Sequence, residues 1–197
     1  IVVWLPPEFD DHGNLVSAAR YLHSDMVIED DVMRKLVVRS QYIGQLELIA
    51  AVAAYTTFPK ELLGRHVIHW IDNTSALAGL IKGYSSAPDS AKITHAFHAL
   101  MVTLRCDVWF EYVRSKANIA DFPSRDAWEE LWQAFESVGV DNRKVRWVEC
   151  ELPPIFSLQA PAHAWIGARE ETRLRFTDAE QRRPINWREL LGIVRVL

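Results

Sequence analysis

The sequence predicts an α/β domain built around a largely parallel sheet. Its 197 residues are 49% hydrophobic and 24% charged, which is the composition of an ordinary globular domain. Strand-like and helix-like segments alternate along most of the chain, the order that builds parallel sheets. One apolar run, Val67 to Ile71, ends in Asp72 just where a helix is predicted to begin. Open α/β sheets place their ligand sites at such carboxyl ends of strands.

The first 60 residues are predicted to hold one strand and one long helix. Ile1 to Leu5 is a short β-rich run that two prolines stop. Residues 8–40 are mixed and acid-rich, and we expect a loop with a short helix there. Residues 44–58 carry apolar side chains at helical spacing and many alanines, which predicts a buried helix that Pro59 closes.

The middle of the chain gives the clearest alternation. A strand is predicted over 66–72, followed by a helix over 74–82 that Gly83 ends at a C′ position. A longer helix reaches residue 105, and Asp89 or Ser90 is expected to cap it. A strand over 107–113, a loop over 114–118 and an amphipathic helix over 126–138 complete the pattern.

The last third of the chain is less regular. After Gly139 the periodicity weakens, although residues 145–152 could form a strand and residues 186–197 are predicted to form a helix. We therefore divide the chain into a domain over residues 1–140 and a C-terminal appendage over 141–197 of unknown role.

Charge and cysteine content exclude several classes of protein. No apolar run approaches the ~20 residues that a membrane span requires. Residues 1–140 hold 12 Lys and Arg against 18 Asp and Glu, and residues 141–197 hold 10 against 8, unlike a strongly basic nucleic-acid binder. Two cysteines without metal-ligand spacing favour a reducing compartment, cytoplasm or nucleus. A chain that begins at Ile1 rather than Met is typical of a fragment or a processed product.

Three acids stand in contexts that are unusual for solvent-exposed charges. Glu47 lies in the buried helix with Ala50 and Ala51 at the i+3 and i+4 positions. Asp72 ends the central strand, and Asp121 follows the last predicted strand of the domain. Carboxylates that converge on one pocket make a site for hard divalent cations, and two such ions can drive phosphodiester hydrolysis. Each acid also has an ordinary structural interpretation, as a helix-end charge or an ion-pair partner.

The segments around these acids resemble a known family. Gln45 to Ala50, Trp70 to Leu77, Lys82-Gly83 and Glu111 to Arg125 occur in the order found in ribonuclease H domains of retrotransposon reverse transcriptases, of the gypsy-like and DIRS-like kind. The resemblance covers residues 1–135. It implies a ribonuclease H-like fold, with a mixed central sheet flanked by helices on both sides, that cleaves the RNA strand of RNA–DNA hybrids. It also implies an adjacent reverse transcriptase domain upstream as a partner.

The resemblance also implies a set of site residues. The family uses four acids and two Mg²⁺ (or Mn²⁺) ions, and Glu47, Asp72 and Asp121 match three of the acids, with Asp72 as the candidate that bridges both ions. The residues expected to contact nucleic acid are Asn73, Arg114, Lys116 and Arg125.

The chain departs from the family at the first acid, which the family carries on its first, central strand. Ile1 to Leu5 contains no acid and looks more like a second or third strand, so we expect the first strand to be missing or truncated. Asp178, in Phe176 to Ala179, has a suitable local sequence but could act only by circular permutation.

Three alternatives remain open from sequence. The first is a degenerate domain of the same fold that binds nucleic acid or protein without cleaving it. The second is another polynucleotidyl transferase, such as an integrase, although the order of Glu47 before Asp72 fits that poorly. The third is an unrelated α/β domain with scattered acids.

Overall fold

A computed structural model describes residues 1–153, 155 and 193–196. It confirms the α/β class, with six helices, four short 3₁₀ turns and two sheets in that part of the chain. None of its described helices is both long enough and apolar enough to cross a bilayer. Phe176 to Ala179 lies outside the described residues.

The main sheet has six strands and mixed direction. In spatial order they are β6 (Asp107–Tyr112), β5 (His66–Ile71), β8 (Ile193–Val196), β1 (Val2–Leu5), β4 (Arg20–His23) and β7 (Val145–Trp147). β5 and β6 are parallel, as are β4 and β7, and β1 and β8; β1 and β4 are antiparallel, as are β5 and β8. β2 (Glu8–Phe9) and β3 (Leu15–Ser17) form a separate hairpin.

Helices cover both faces of the main sheet. They are α1 (Asp30–Met33), α2 (Ile43–Thr57), α3 (Pro59–Leu62), α4 (Thr74–Lys82), α5 (Pro88–Leu104) and α6 (Trp128–Ser137). On one face, α2 places Tyr55 against His69, and α5 places Phe97 against Phe110. On the opposite face, α6 packs Phe135 on Tyr21 and Trp132 on His23.

The register of the sheet shows that these contacts lie on opposite faces. His69 pairs with Val194, which pairs with Val3, so these three residues share one face of the sheet. Trp4, the next residue of β1, pairs with Tyr21, and these two share the other face. Since successive side chains of a strand point to opposite sides, the helix α2 side and the helix α6 side are separate layers. In this three-layer arrangement α2 is almost completely buried, and its apolar side chains lie on all sides of the helix rather than along one stripe.

Two sequence predictions of secondary structure are wrong. Residues 193–196 form the strand β8, whereas a helix was predicted over 186–197. The segment 8–40 contains three strands in addition to the short helix α1. Ile193, Val194 and Val196 are β-branched, and strand pairing with β1 and β5 outweighs the helical spacing that they also satisfy.

The division of the chain at residue 140 stays a prediction. β7 pairs with β4, and β8 lies between β1 and β5, so segments from beyond residue 140 contribute two of the six strands. The strand predicted over 145–152 is shorter, Val145–Trp147.

Candidate functional site at one edge of the sheet

Asp72 lies at the edge of the sheet where β5 and β6 both end. Ile71 pairs with Tyr112, and the Val113 amide donates a hydrogen bond of 3.1 Å to the Ile71 carbonyl. Asp72 follows at once and is half-buried, and its Oδ1 atom has no hydrogen-bond partner among the described residues. A carboxylate oxygen removed from water without a donor is costly, so this position suits a ligand that supplies positive charge or a proton.

The start of β1 lies at the same edge. β1 runs opposite to β5, and Val2 and Trp70 both pair with Ile193, which places them about 10 Å apart, or two strand spacings. The edge therefore gathers the beginning of β1 with the ends of β5 and β6.

The backbone nitrogen of Ile1 shows which side chains approach this edge. It is buried and donates a 2.7 Å hydrogen bond to the Ser24 carbonyl. Four ionisable side chains lie close enough to act electrostatically at this nitrogen: those of Cys150, Asp25, Glu47 and Asp121. Glu47 and Asp121, which lie on different elements, therefore both approach the nitrogen of Ile1.

Glu47 reaches this region from α2. It is the fifth residue of the helix, and thus in its second turn, and is 5% exposed. The neighbouring Gln45 is also buried and donates to the Ser90 hydroxyl of α5 at 2.9 Å. Glutamate is rarely buried this deeply in proteins unless its carboxylate has a partner.

Asp121 lies in a run of 3₁₀ turns after β6 and is also 5% exposed. The Asn118 amide donates to its Oδ1 at 2.9 Å, and the Arg125 guanidinium donates to its Oδ2 at 3.3 Å. The Ser124 hydroxyl donates to its carbonyl at 2.7 Å. Asp121 is not the helix-end charge that the sequence also allowed, because α6 begins only at Trp128, too far for its dipole to act on Asp121.

The predicted nucleic-acid contacts have different environments. Arg114 and Lys116 are exposed in the loop that follows β6. Arg125 is also exposed, but its guanidinium pairs with Asp121. Asn73 caps α4, its side-chain oxygen accepting from the Ser75 and Ala76 amides at 3.0 Å each. Of these four residues, Arg114 and Lys116 are the exposed cations outside the ion pairs found among the described residues.

The acids approach one edge, but they do not form a metal-binding group in this arrangement. Within the described part of the chain, no three His, Cys, Asp or Glu side chains are placed so that they could hold one ion. The strand at the centre of the sheet, β8, reads Ile-Val-Arg-Val and contributes no acid. As they stand, the residues do not fit a divalent cation, and no step through a metal is assigned to them.

Sequence reasoning missed the residues that hold Asp121 in place. Asn118 is 2% exposed, and its side chain both caps the turn at the Ala120 amide and binds the Asp121 carboxylate. An Asn whose side chain accepts from the amide two residues on forms an Asx-turn, which an Asn in a stretch without helical periodicity can indicate. Nothing in the local sequence predicts that Ile1 lies near these acids, because its position depends on strand pairing across the sheet.

Comparisons with known proteins identify no relative. The chain matches no protein-family model, and neither a curated protein nor a solved structure is significantly similar to it. An assignment of function therefore depends on the residues and their geometry.

Proposed function

We propose that this chain is a ribonuclease H-like domain from a retroelement reverse transcriptase, which cleaves the RNA strand of RNA–DNA hybrids with two Mg²⁺ or Mn²⁺ ions. The proposal includes the finer fold, the hybrid as substrate and a reverse transcriptase domain as neighbour. The observation that carries it is the position of three acids at or near one edge of a mixed sheet: Asp72 where β5 and β6 end, and Glu47 on α2 and Asp121 after β6, which both lie near Ile1 at the start of β1.

The chemistry of the three side chains supports the proposal. Carboxylate oxygens are the ligands that hard divalent cations take, and a pair of such ions would supply an activated water and stabilise the leaving oxygen of a phosphodiester. Asp72 offers a buried oxygen that lacks a described donor. Arg114 and Lys116 stand exposed next to the edge, where they could hold a phosphate backbone without reading its sequence.

A second function, binding of a hybrid without cleavage, is favoured by two specific observations. The central strand β8 has no carboxylate, although the resemblance places the first acid on a central strand. In addition, Asp121 is paired with Arg125 rather than grouped with other ligands. Cleavage by this chain therefore requires Arg125 to move and a further ligand to join the three acids.

The test is cleavage of an RNA–DNA hybrid with a label on the RNA strand, in Mg²⁺ and in Mn²⁺. Asp72→Asn keeps the size of the side chain but removes the charge, and it should lower the rate by more than about a hundredfold, since even residues that only support metal ligands are worth about 10- to 100-fold. Double-stranded DNA of the same sequence should remain intact.

Asp107→Asn is the matched control, because Asp107 starts β6 at the opposite edge of the sheet and is exposed. It should cut as fast as the wild type. If the wild type binds the hybrid but cuts nothing, the second function replaces the first. If Asp72→Asn cuts as fast as the wild type, the proposed site is wrong.

A further inference from the structure

The six-stranded sheet has two outermost strands, and their charges are opposite. β6 is the last strand on one side and β7 the last strand on the other. An outermost strand presents every second backbone N–H and C=O to its open side, where a further strand can pair with them. Within the part of the chain that the structure describes, no strand pairs with β6 or β7 on that side. Each of these strands can therefore accept a strand from another molecule.

The strand β6 is acidic around an exposed tryptophan. Asp107, Trp109 and Glu111 alternate along it, so they share one side of the sheet, and all three are exposed. The indole N–H of Trp109 donates to Glu111 Oε1 at 2.8 Å, which holds the ring beside the carboxylate. Asp107 Oδ2 lies 3.2 Å from His66 Nδ1. An exposed ring flanked by two carboxylates fits a guanidinium or an ammonium group.

The strand β7 carries the matching charge. Arg146 is its middle residue, and Lys144 immediately precedes it. Both are exposed, and neither forms an ion pair among the described residues. Arg143 is also exposed, but its guanidinium pairs with Asp141. Arg146 and Lys144 are therefore the cations that β7 offers to an acidic strand.

Charges on outermost strands usually prevent association, because two strands of like charge repel each other. Pairing β6 with β6 of a second copy in antiparallel fashion around Trp109 would bring Asp107 opposite Glu111. Pairing β7 with β7 would bring together two copies of Arg146. Only the combination of β6 with β7 joins opposite charges, so the protection fails for that pair of strands.

The sheet register determines how the two strands would meet. Arg146 pairs with Leu22, which pairs with Val3, on the side of the sheet that α2 covers. Trp109 lies on the other side, because its neighbour Phe110 packs against α5 on the α2 side. A second copy that is turned over, so that its β7 runs antiparallel to β6, brings its Arg146 to the same side as Trp109.

We propose that copies of this chain associate head to tail, with β7 of one copy antiparallel to β6 of the next. Arg146 then lies opposite Trp109, with Asp107 and Glu111 as diagonal neighbours within reach of its long side chain. Each added copy brings a free β6 or β7, so the contact forms an open series rather than a closed dimer. The contact is weak, because β7 has only three residues. It does not depend on the proposed nuclease activity.

The test is sedimentation velocity of the full chain over a range of concentrations. The weight-average mass should rise past that of a dimer at low salt, and rise less at about 1 M salt, where screening acts within about 3 Å. Glu111→Lys and Arg146→Glu should each weaken association roughly fivefold or more, since a favourable cross-strand charge pair becomes a repulsive one. An equimolar mixture of the two variants should associate again, because it restores the pair of Arg146 with Glu111 between different molecules.

Lys60→Glu is the matched control for Arg146→Glu. It makes the same change in net charge at an exposed residue of α3, away from β7, and should associate like the wild type. Circular dichroism melts show that the variants compared are folded. A wild type that stays monomeric at every concentration would overturn the inference, as would a series that stops at the dimer. So would a loss in Lys60→Glu equal to that in Arg146→Glu, or a mixture of folded variants that does not associate.

Discussion

His69 in β5 and Asp72 just after it are three residues apart, yet their surroundings differ sharply. His69 is fully buried between the rings of Tyr55 and Phe110, with its Nδ1 atom 3.3 Å from the Tyr55 hydroxyl. Asp72, one residue past the strand, reaches the edge of the sheet and is half-buried. His69 is a core residue, whereas Asp72 is a candidate site residue, although both are polar side chains in an apolar stretch.

Burial of His69 makes the stability of the protein depend on pH. Burial lowers its pKa to about 3 from the usual 6.5. Below pH 6.5 the unfolded chain takes up a proton that the folded chain refuses, so the free energy of unfolding falls as the pH drops from 6.5 towards 3. We expect a loss of about 2 kcal/mol between pH 7 and pH 5 from this residue.

Urea unfolding of the wild type and of His69→Gln at both pH values measures this loss. Glutamine cannot take up a proton, so the variant should lose about 2 kcal/mol less than the wild type on going to pH 5. The same loss in both proteins would show that His69 is not the buried neutral group described.

At the scale of elements, α4 is the clearest case in which the local sequence was sufficient to predict where a helix ends. Gly83 adopts φ of 67° at its C-terminal end, as the sequence predicts, and Asn73 supplies the N-cap. These interactions join residues close in the chain, so they can be recognised without knowing the fold. The same side chain, Asn73, was also a predicted nucleic-acid contact, and its capping role gives it a sufficient structural function.

Loss of the Asn73 cap has a measurable cost. Asn73→Ala leaves the Ser75 and Ala76 amides without their acceptor and should lower the free energy of unfolding by about 1 kcal/mol. Asn73→Ser keeps an acceptor at the cap and should recover most of this loss. Urea denaturation compares the three proteins, and equal stabilities of Asn73→Ala and wild type would contradict the cap.

Sequence patterns were least informative where an element depends on distant partners. Residues 193–196 satisfy both helical and strand patterns, and only their pairing with β1 and β5, from far along the chain, decides for a strand. The acids of the candidate site were found from sequence because each stands in an unusual local context. The Arg125 contact, by contrast, depends on the 3₁₀ turns that bring residues 121 and 125 together.

At the scale of the whole molecule, β8 joins two halves of the sheet. β5 and β6 lie on one side of it and β1, β4 and β7 on the other, and β1 and β5 meet only through it. In a strand with a neighbour on each side, every backbone amide points to one neighbour or the other. β8 therefore holds the start of β1 and the end of β5 at one edge, where the candidate site lies.

Proline at position 194 tests this role of β8. Val194→Pro removes an amide that must bond to β1 or β5 and should lower stability by about 3 kcal/mol or more. Val194→Thr keeps the amide and the branched side chain and should melt close to the wild type. A melting temperature of Val194→Pro equal to that of the wild type would show that β8 is not part of the sheet.

The central claim is that Glu47 and Asp121, from different elements, act as one site. The most direct measurement is the rate of hybrid cleavage in Mn²⁺ by the wild type, Glu47→Gln, Asp121→Asn and the double variant. Residues that act as a unit lose their effect together, so the double variant should be no slower than the slower single variant. Losses that multiply in the double variant, or a wild type that cuts no hybrid, would contradict the claim.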